Sequence, residues 1–218
     1  MKLLLTSGGL TNESIIKTLF DLVGKKPEDT SLVFIPTASN SETGDKGWLI
    51  DDLINIKKQN FKAVAIADIS AVPENIWRPQ LEEADVLFFE GGNTYYLMNW
   101  INKSGLVHIL PDLLHTKVYV GLSAGSMVTG PDLALRLSQV LYGEDLEEEP
   151  MNGLKLVDFY FLPHLHSPYF ATRTDENVTE AMKGITRKTY VLDDQSALKV
   201  VDWTVEVISE GKYLVFNE

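Results

Sequence analysis

Five short runs of this chain are apolar at nearly every position: KLLLTS (2–7), SLVFIPTA (31–38), KAVAIAD (62–68), DVLFFEGG (85–92) and KVYVGLS (117–123). None alternates apolar and polar residues as a strand with one wet face does, so each predicts a strand buried on both faces. Between them lie ESIIKTLFDLVG (13–24), GWLIDDLINIKKQN (47–60) and TYYLMNWINKSGLVHILPDLL (94–114), with apolar positions at helical spacing. These predict amphipathic helices, the last divided in two around Ser104-Gly105. Buried strands alternating with helices predict an α/β fold, a mostly parallel sheet with helices on both faces.

The pattern changes after residue 123. A helix is expected after the glycine turn, then an acidic loop, YGEDLEEEP (142–150), and a strand, DFYFLPHL (158–165). A helical patch at 172–185 leads into KTYVLDDQSALKVVD (188–202). The tail TVEVISEGKYLVFN (204–217) predicts a C-terminal β-hairpin turned at EGK. No internal repeat, low-complexity tract or long linker divides the chain, so a single domain over residues 1–218 is expected.

Composition narrows the partners. The net charge is −12, from 31 acidic and 19 basic residues. Such a chain repels nucleic acid and anionic membranes at long range, and neither is expected as a partner. Its densest basic pairs, at 25–26 and 57–58, read as solvated helix ends. The absence of cysteine removes disulfides, thiolate zinc sites and cysteine nucleophiles, and fits a reducing compartment. The opening MKLLLTSGGL has too short an apolar run for a signal peptide, and no segment approaches a membrane span, so the cytoplasm is the expected location. The sequence assigns no oligomeric state.

Functional residues in open parallel sheets gather beyond the carboxyl ends of the strands. Here those ends read TSGG (6–9), PTASN (36–40), EGGNT (90–94), GLSAGS (121–126) and LPHLHS (162–167), all small, polar or histidine-bearing. GLSAG has the G-x-S-x-G form of a nucleophile elbow, which strains the serine backbone and lifts its hydroxyl above the sheet. Ser123 is then a candidate nucleophile, and the Ala124 N–H at the start of the next helix a candidate oxyanion donor. The plainer alternative is a strand-to-helix turn with a capping serine. EGGNT offers open backbone amides at Gly91 and Gly92, with Gly92 N–H as the expected second oxyanion donor. Asn93 or Thr94 would cap the following helix. G-x-G-x-x-G is absent, so a dinucleotide loop is not expected. His108 and His115 fall in a helical stretch. His164 and His166 end a strand two residues apart, so parity places both on one side and selects neither. No metal-ligand spacing surrounds them, and neither metal nor cofactor is expected.

With these pieces in place, the chain resembles the peptidase E family of serine peptidases, family S51, which also contains cyanophycinase. The resemblance rests on GGNTYYLM (91–98), VGLSAGSMV (120–128), NGLKLVDFYFLPHLHS (152–167) and YVLDDQSALKV (190–200), in the family's order. It implies a class I glutamine amidotransferase-like, flavodoxin-like fold, with serine where those enzymes carry cysteine. It implies Ser123 as nucleophile, His164 as general base, and oxyanion donors from the GGN loop and the residue after the serine. Small peptides are the implied substrates, and peptidase E itself cleaves dipeptides with an N-terminal aspartate. Gly91, Asn93 and Arg173 are the expected substrate contacts. Arg173 offers a bidentate site for a carboxylate, against the alternative of a surface residue paired with Asp175 or Glu176.

One member of the machinery is unassigned. The family places an acid between the elbow helix and the histidine strand, yet LALRLSQVLYG (133–143) has no carboxylate. Asp132, Glu144, Asp145 and Asp194 are the candidates for orienting His164, Asp194 because a carboxylate often sits at that family position. With none in reach, the chain would be a small-peptide-binding or regulatory relative that turns over slowly or not at all.

Overall fold

The computed structural model describes residues 1–134, 137, 140, 141 and 151–218. Seven strands form the main sheet: β1 (Lys2–Thr6), β2 (Ser31–Ile35), β3 (Ala63–Ile66), β4 (Val86–Phe89), β5 (Val118–Leu122), β8 (Ser196–Val201) and β9 (Thr204–Ser209), in spatial order β3-β2-β4-β5-β1-β8-β9. The first five in that order run parallel, and β8 and β9 join antiparallel. The apolar runs therefore form the parallel core of the sheet, and β1, β4 and β5 are buried almost throughout, as continuous runs require.

Helices cover both faces. α1 (Glu13–Val23) and α2 (Gly47–Lys58) bury Ile15, Leu19 and Ile56 against Leu4, Leu32, Phe34 and Phe88. On the opposite face, α3 (Glu74–Glu83), α4 (Thr94–Lys103) and α5 (Leu106–Leu113) pack Trp77, Leu81, Leu97, Ile101 and Leu110 against Leu3, Val33, Leu87 and Tyr119. α1 starts where Asn12 caps the Ile15 N–H and stops at Gly24, which takes a left-handed φ of 75°. The expected break near Ser104-Gly105 lies between α4 and α5, with Gly105 at φ 80°.

The last third departs from a simple continuation of the sheet. β6 (Tyr160–Leu162), β7 (Thr189–Leu192) and β10 (Tyr213–Phe216) form a separate sheet in the order β10-β7-β6, backed by Val178, Ala181 and Met182 at α7 (Asp175–Ala181). The tail is thus shared between two sheets. β9 pairs with β8 across Asp202-Trp203, while β10 crosses to β7. A C-terminal hairpin exists, but its arms are β8 and β9 and its turn is not EGK. Asp202 and Trp203 take φ of 44° and 73°, the paired positive values of a two-residue hairpin turn. No helix among the described residues is long and apolar enough to cross a membrane.

Candidate active site

β5 runs buried to Leu122 and breaks into α6 (Ala124–Met127) at Ser123, whose backbone stands at φ 48°, ψ −108°. Positive φ in a residue with a Cβ is strained, and here it is locked from both sides. Ser123 N–H donates to Thr6 C=O at 3.0 Å, and Ser123 C=O accepts from Ser126 and Met127. The motif glycine at 125 is a packing requirement, since a Cβ there would collide with the Phe89 carbonyl oxygen of β4. Ser123 makes no side-chain cap to α6. Its hydroxyl lies 2.9 Å from His164 Nε2.

His164 follows β6 and is itself at φ 68°. Its N–H donates to Ser7 Oγ at 2.7 Å, its C=O accepts from Ser167, and the next residue, Leu165, donates to the C=O of Leu192, the last residue of β7. The Phe170 ring stacks on the imidazole with centroids 4.5 Å apart and planes 16° apart. On the other side of the ring, Nδ1 lies 2.7 Å from Asp194 Oδ1. The carboxylate also takes a 2.9 Å hydrogen bond from Ser7 Oγ, and Asp194 C=O accepts from Thr11 Oγ1. Burial pushes the Asp194 carboxyl up, but hydrogen bonds from His164 and Ser7 and the attraction of His164 outweigh it. Its pKa lies below the usual carboxylate value, so it is anionic at neutral pH.

Of the other candidate acids, Asp132 is engaged elsewhere. Asp132 accepts from Tyr160 Oη and the Ala134 N–H. Glu144 and Asp145 lie outside the described residues. His166 turns away to Asp175 in an exposed pair at 2.8 Å. The strand-parity argument does not operate for the two histidines, because both sit beyond β6 in left-handed turn conformations.

Gly91 and Gly92 follow β4 and run beside the elbow. A Cβ on Gly91 would stand 3.4 Å from Ser123 Cβ. Gly92 adopts φ 125° and lies so close to the Ala38 carbonyl that no side chain fits. Asn93 Oδ1 caps α4 by accepting from Tyr96 N–H at 2.8 Å. As the first amide of α6, Ala124 N–H has no intrahelical acceptor. Arg173 is only 1% exposed, with its guanidinium carbon 5.9 Å from the centroid of the same Phe170 ring. It is therefore not a surface residue.

Two features escape a motif-based reading. Ser7, at the end of β1, ties His164 to Asp194. Glu90, the last residue before the glycines, is fully buried opposite Asp52 of α2. Burial and the Asp52 charge push the Glu90 carboxyl well above its usual range. Burial, with Asp51 and Asp194 nearby, raises Asp52 to about 6. A charged residue closing a wholly apolar strand was the visible signal for this pair. Among the described residues, no cluster of three or more His, Asp or Glu side chains is arranged to hold a metal.

The sequence profile of peptidase family S51 matches residues 3–208. An uncharacterized peptidase of Pasteurella multocida is 30% identical over 142 residues, covering 63% of this chain and 66% of its own length. A peptidase E of Shewanella sp. strain MR-4 is 33% identical over 88 residues, 40% of this chain and 36% of its own. Among solved structures, a candidate peptidase E from Listeria monocytogenes EGD-e superposes with a TM-score of 0.77 at 24% identity, over 96% of this chain and 98% of that one. A peptidase from an acI-B1 Actinobacterium gives 0.68 at 15% identity, over 99% and 96%. These two likenesses establish the mostly parallel α/β fold. With the profile spanning nearly all of its length, the chain belongs to peptidase family S51, a family of peptide-bond hydrolases.

Proposed function

We propose that this protein is a serine peptidase acting on small peptides in the cytoplasm, with Ser123 as nucleophile, His164 as general base and Asp194 as its orienting acid. The observation that carries the reading is the imidazole held at both nitrogens, Nε2 at 2.9 Å from Ser123 Oγ and Nδ1 at 2.7 Å from Asp194. With Asp194 accepting the Nδ1 proton, Nε2 is the free base facing the hydroxyl. Ser123 Oγ attacks the peptide carbonyl while Nε2 takes its proton. Nε2 then returns that proton to the leaving amine as the C–N bond breaks, and water hydrolyses the acyl-serine by the same route. The N–H groups of Gly92 and Ala124 receive the oxyanion, a contribution of about 3 kcal/mol per donor in comparable sites.

Arg173, buried on the Phe170 ring that stacks against His164, is the cationic element for a substrate carboxylate. Gly91 offers backbone to the peptide. Asn93 has committed its oxygen to the helix cap, so its contact falls to the amide nitrogen. The non-catalytic alternative was motivated by the missing carboxylate after the elbow helix, and the Asp194 contact favours the peptidase reading over it.

A fluorophosphonate probe tests the reading. Wild-type protein should label at Ser123 and cleave a dipeptide panel, Ser123→Ala should lose both, and Arg173→Met should raise KM for acidic dipeptides over neutral ones. Folded wild-type protein that binds dipeptides yet neither labels nor cleaves would return the chain to the binding-protein reading.

A further inference from the structure

Among the described residues, ten large apolar side chains are exposed, and six of them come from one stretch of chain: Trp48, Ile50 and Ile54 of α2, Val64 and Ile66 of β3, and Ile76 of α3. Single exposed apolar residues are ordinary, but a cluster around one sheet edge marks an interaction surface. β3 is that edge, and its Val64 and Ile66 are 43% and 58% exposed. Natural edges are blunted with lysine, proline or bulges, yet β3 reads AVAI and carries none of these.

The hydrogen-bond parity of β3 is defined by its neighbour. Ala67 N–H donates to Phe34 C=O, and Val64 and Ile66 stand level with Leu32 and Phe34 of β2. In a parallel pair this turns the polar groups of Ala65 and Ala67 inward to β2 and those of Val64 and Ile66 outward. The outward groups are self-complementary. If a second copy runs antiparallel about a two-fold axis at Ala65, Val64 meets the mate's position 66 and exchanges both backbone hydrogen bonds, and Ile66 meets position 64. Their side chains then form two β-branched cross-strand pairs. The same register sets Lys62 at one end of the segment opposite Asp68 at the other, whereas a parallel arrangement would set like charges together. α2 covers the sheet face that Val64 and Ile66 share, so its exposed Ile50 and Ile54, one turn apart, extend the apolar surface beside the strand.

We propose that β3 is the interface of a homodimer, in which two copies join edge to edge in this antiparallel register and continue one sheet across both. An isologous contact of this kind closes on itself and stops at two copies. The interface is independent of the Ser123 chemistry.

Light scattering after size exclusion at about 100 μM, a concentration that populates ordinary homodimers, should give twice the 24.4 kDa chain mass. Ile66→Lys, placed on an already exposed position, should return it to 24.4 kDa with an unchanged circular dichroism spectrum. The register has its own test, because the chain contains no cysteine. Ala65→Cys places two thiols on the two-fold axis at a Cα separation of about 4.5 Å, inside the disulfide range. It should cross-link on mild oxidation, whereas Ala63→Cys, whose mate is position 67, should not. A monomeric wild-type protein overturns the proposal. So does a dimer that survives Ile66→Lys, or one in which Ala65→Cys fails to cross-link. If Ile66→Lys does not fold, the cysteine pair decides alone.

Discussion

Ser123 leaves the main sheet at the end of β5, between a fully buried strand and a helix of four residues. His164 and Asp194 leave a different sheet, beyond β6 and β7, and Ser7, just past β1, hydrogen-bonds to both where His164 meets Ser123. The half built on Ser123, the proposed nucleophile, is thus local. Its strain, its glycine contact with Phe89 and its helix start all arise within GLSAG and the adjoining strand. The half that holds His164, the proposed base, is assembled over a long distance and depends on how two sheets dock. Positioning of this second kind is graded, so its mutants should lose rate in steps rather than all at once.

Removal of the nucleophile has the largest expected effect. Ser123→Ala should lower kcat for dipeptide hydrolysis by about 10⁴-fold or more, with the fold retained, as judged by circular dichroism. Asp194→Asn should cost about 10³- to 10⁴-fold by holding His164 in the wrong tautomer, while Asp132→Asn should stay within about twofold of wild type. Equal losses in the two variants would mean that the acid has been misassigned. Ser7→Ala should reduce kcat about tenfold with little change in KM, because it loosens His164 and Asp194 without touching substrate. An unaltered kcat would show that the docking of the second sheet needs no such tie.

The smallest effect concerns the buried carboxyls beneath the glycine loop. Glu90 and Asp52 hold protons that the unfolded chain releases near pH 4. The stability they contribute is present below that value and is lost as pH rises through about 6 for Asp52 and higher for Glu90. Glu90→Gln keeps a neutral hydrogen-bond donor there. It should raise the unfolding free energy at pH 8 and change it little at pH 5, measured by urea denaturation at both pH values.

The same division decided what could be read from the sequence. The strands, the split at Gly105, the elbow and the GGN loop each depend on residues within a few positions, and all are visible as runs, glycines and spacing. The carboxylate beside His164 was legible only as one of four candidates, because Asp194 reaches it from another strand end while the segment expected to supply an acid has no carboxylate. The parity of His164 and His166 misled because strand geometry ends at Leu162, and both histidines occupy left-handed turns. EGK is a good hairpin signal by composition. The hairpin forms instead at Asp202-Trp203, whose paired positive φ lacks the usual glycine, and β10 finds its hydrogen bonds on β7.

The pairing of β10 with β7 also has a consequence in time. A ribosome releases the elbow and the glycine loop long before it releases β10, and the parallel strands β1 to β5 can associate as soon as they emerge. The sheet that carries His164 and Asp194 lacks one of its three strands until Tyr213–Phe216 is free. On the proposed mechanism, a nascent chain thus displays its serine before the sheet that holds the base is complete.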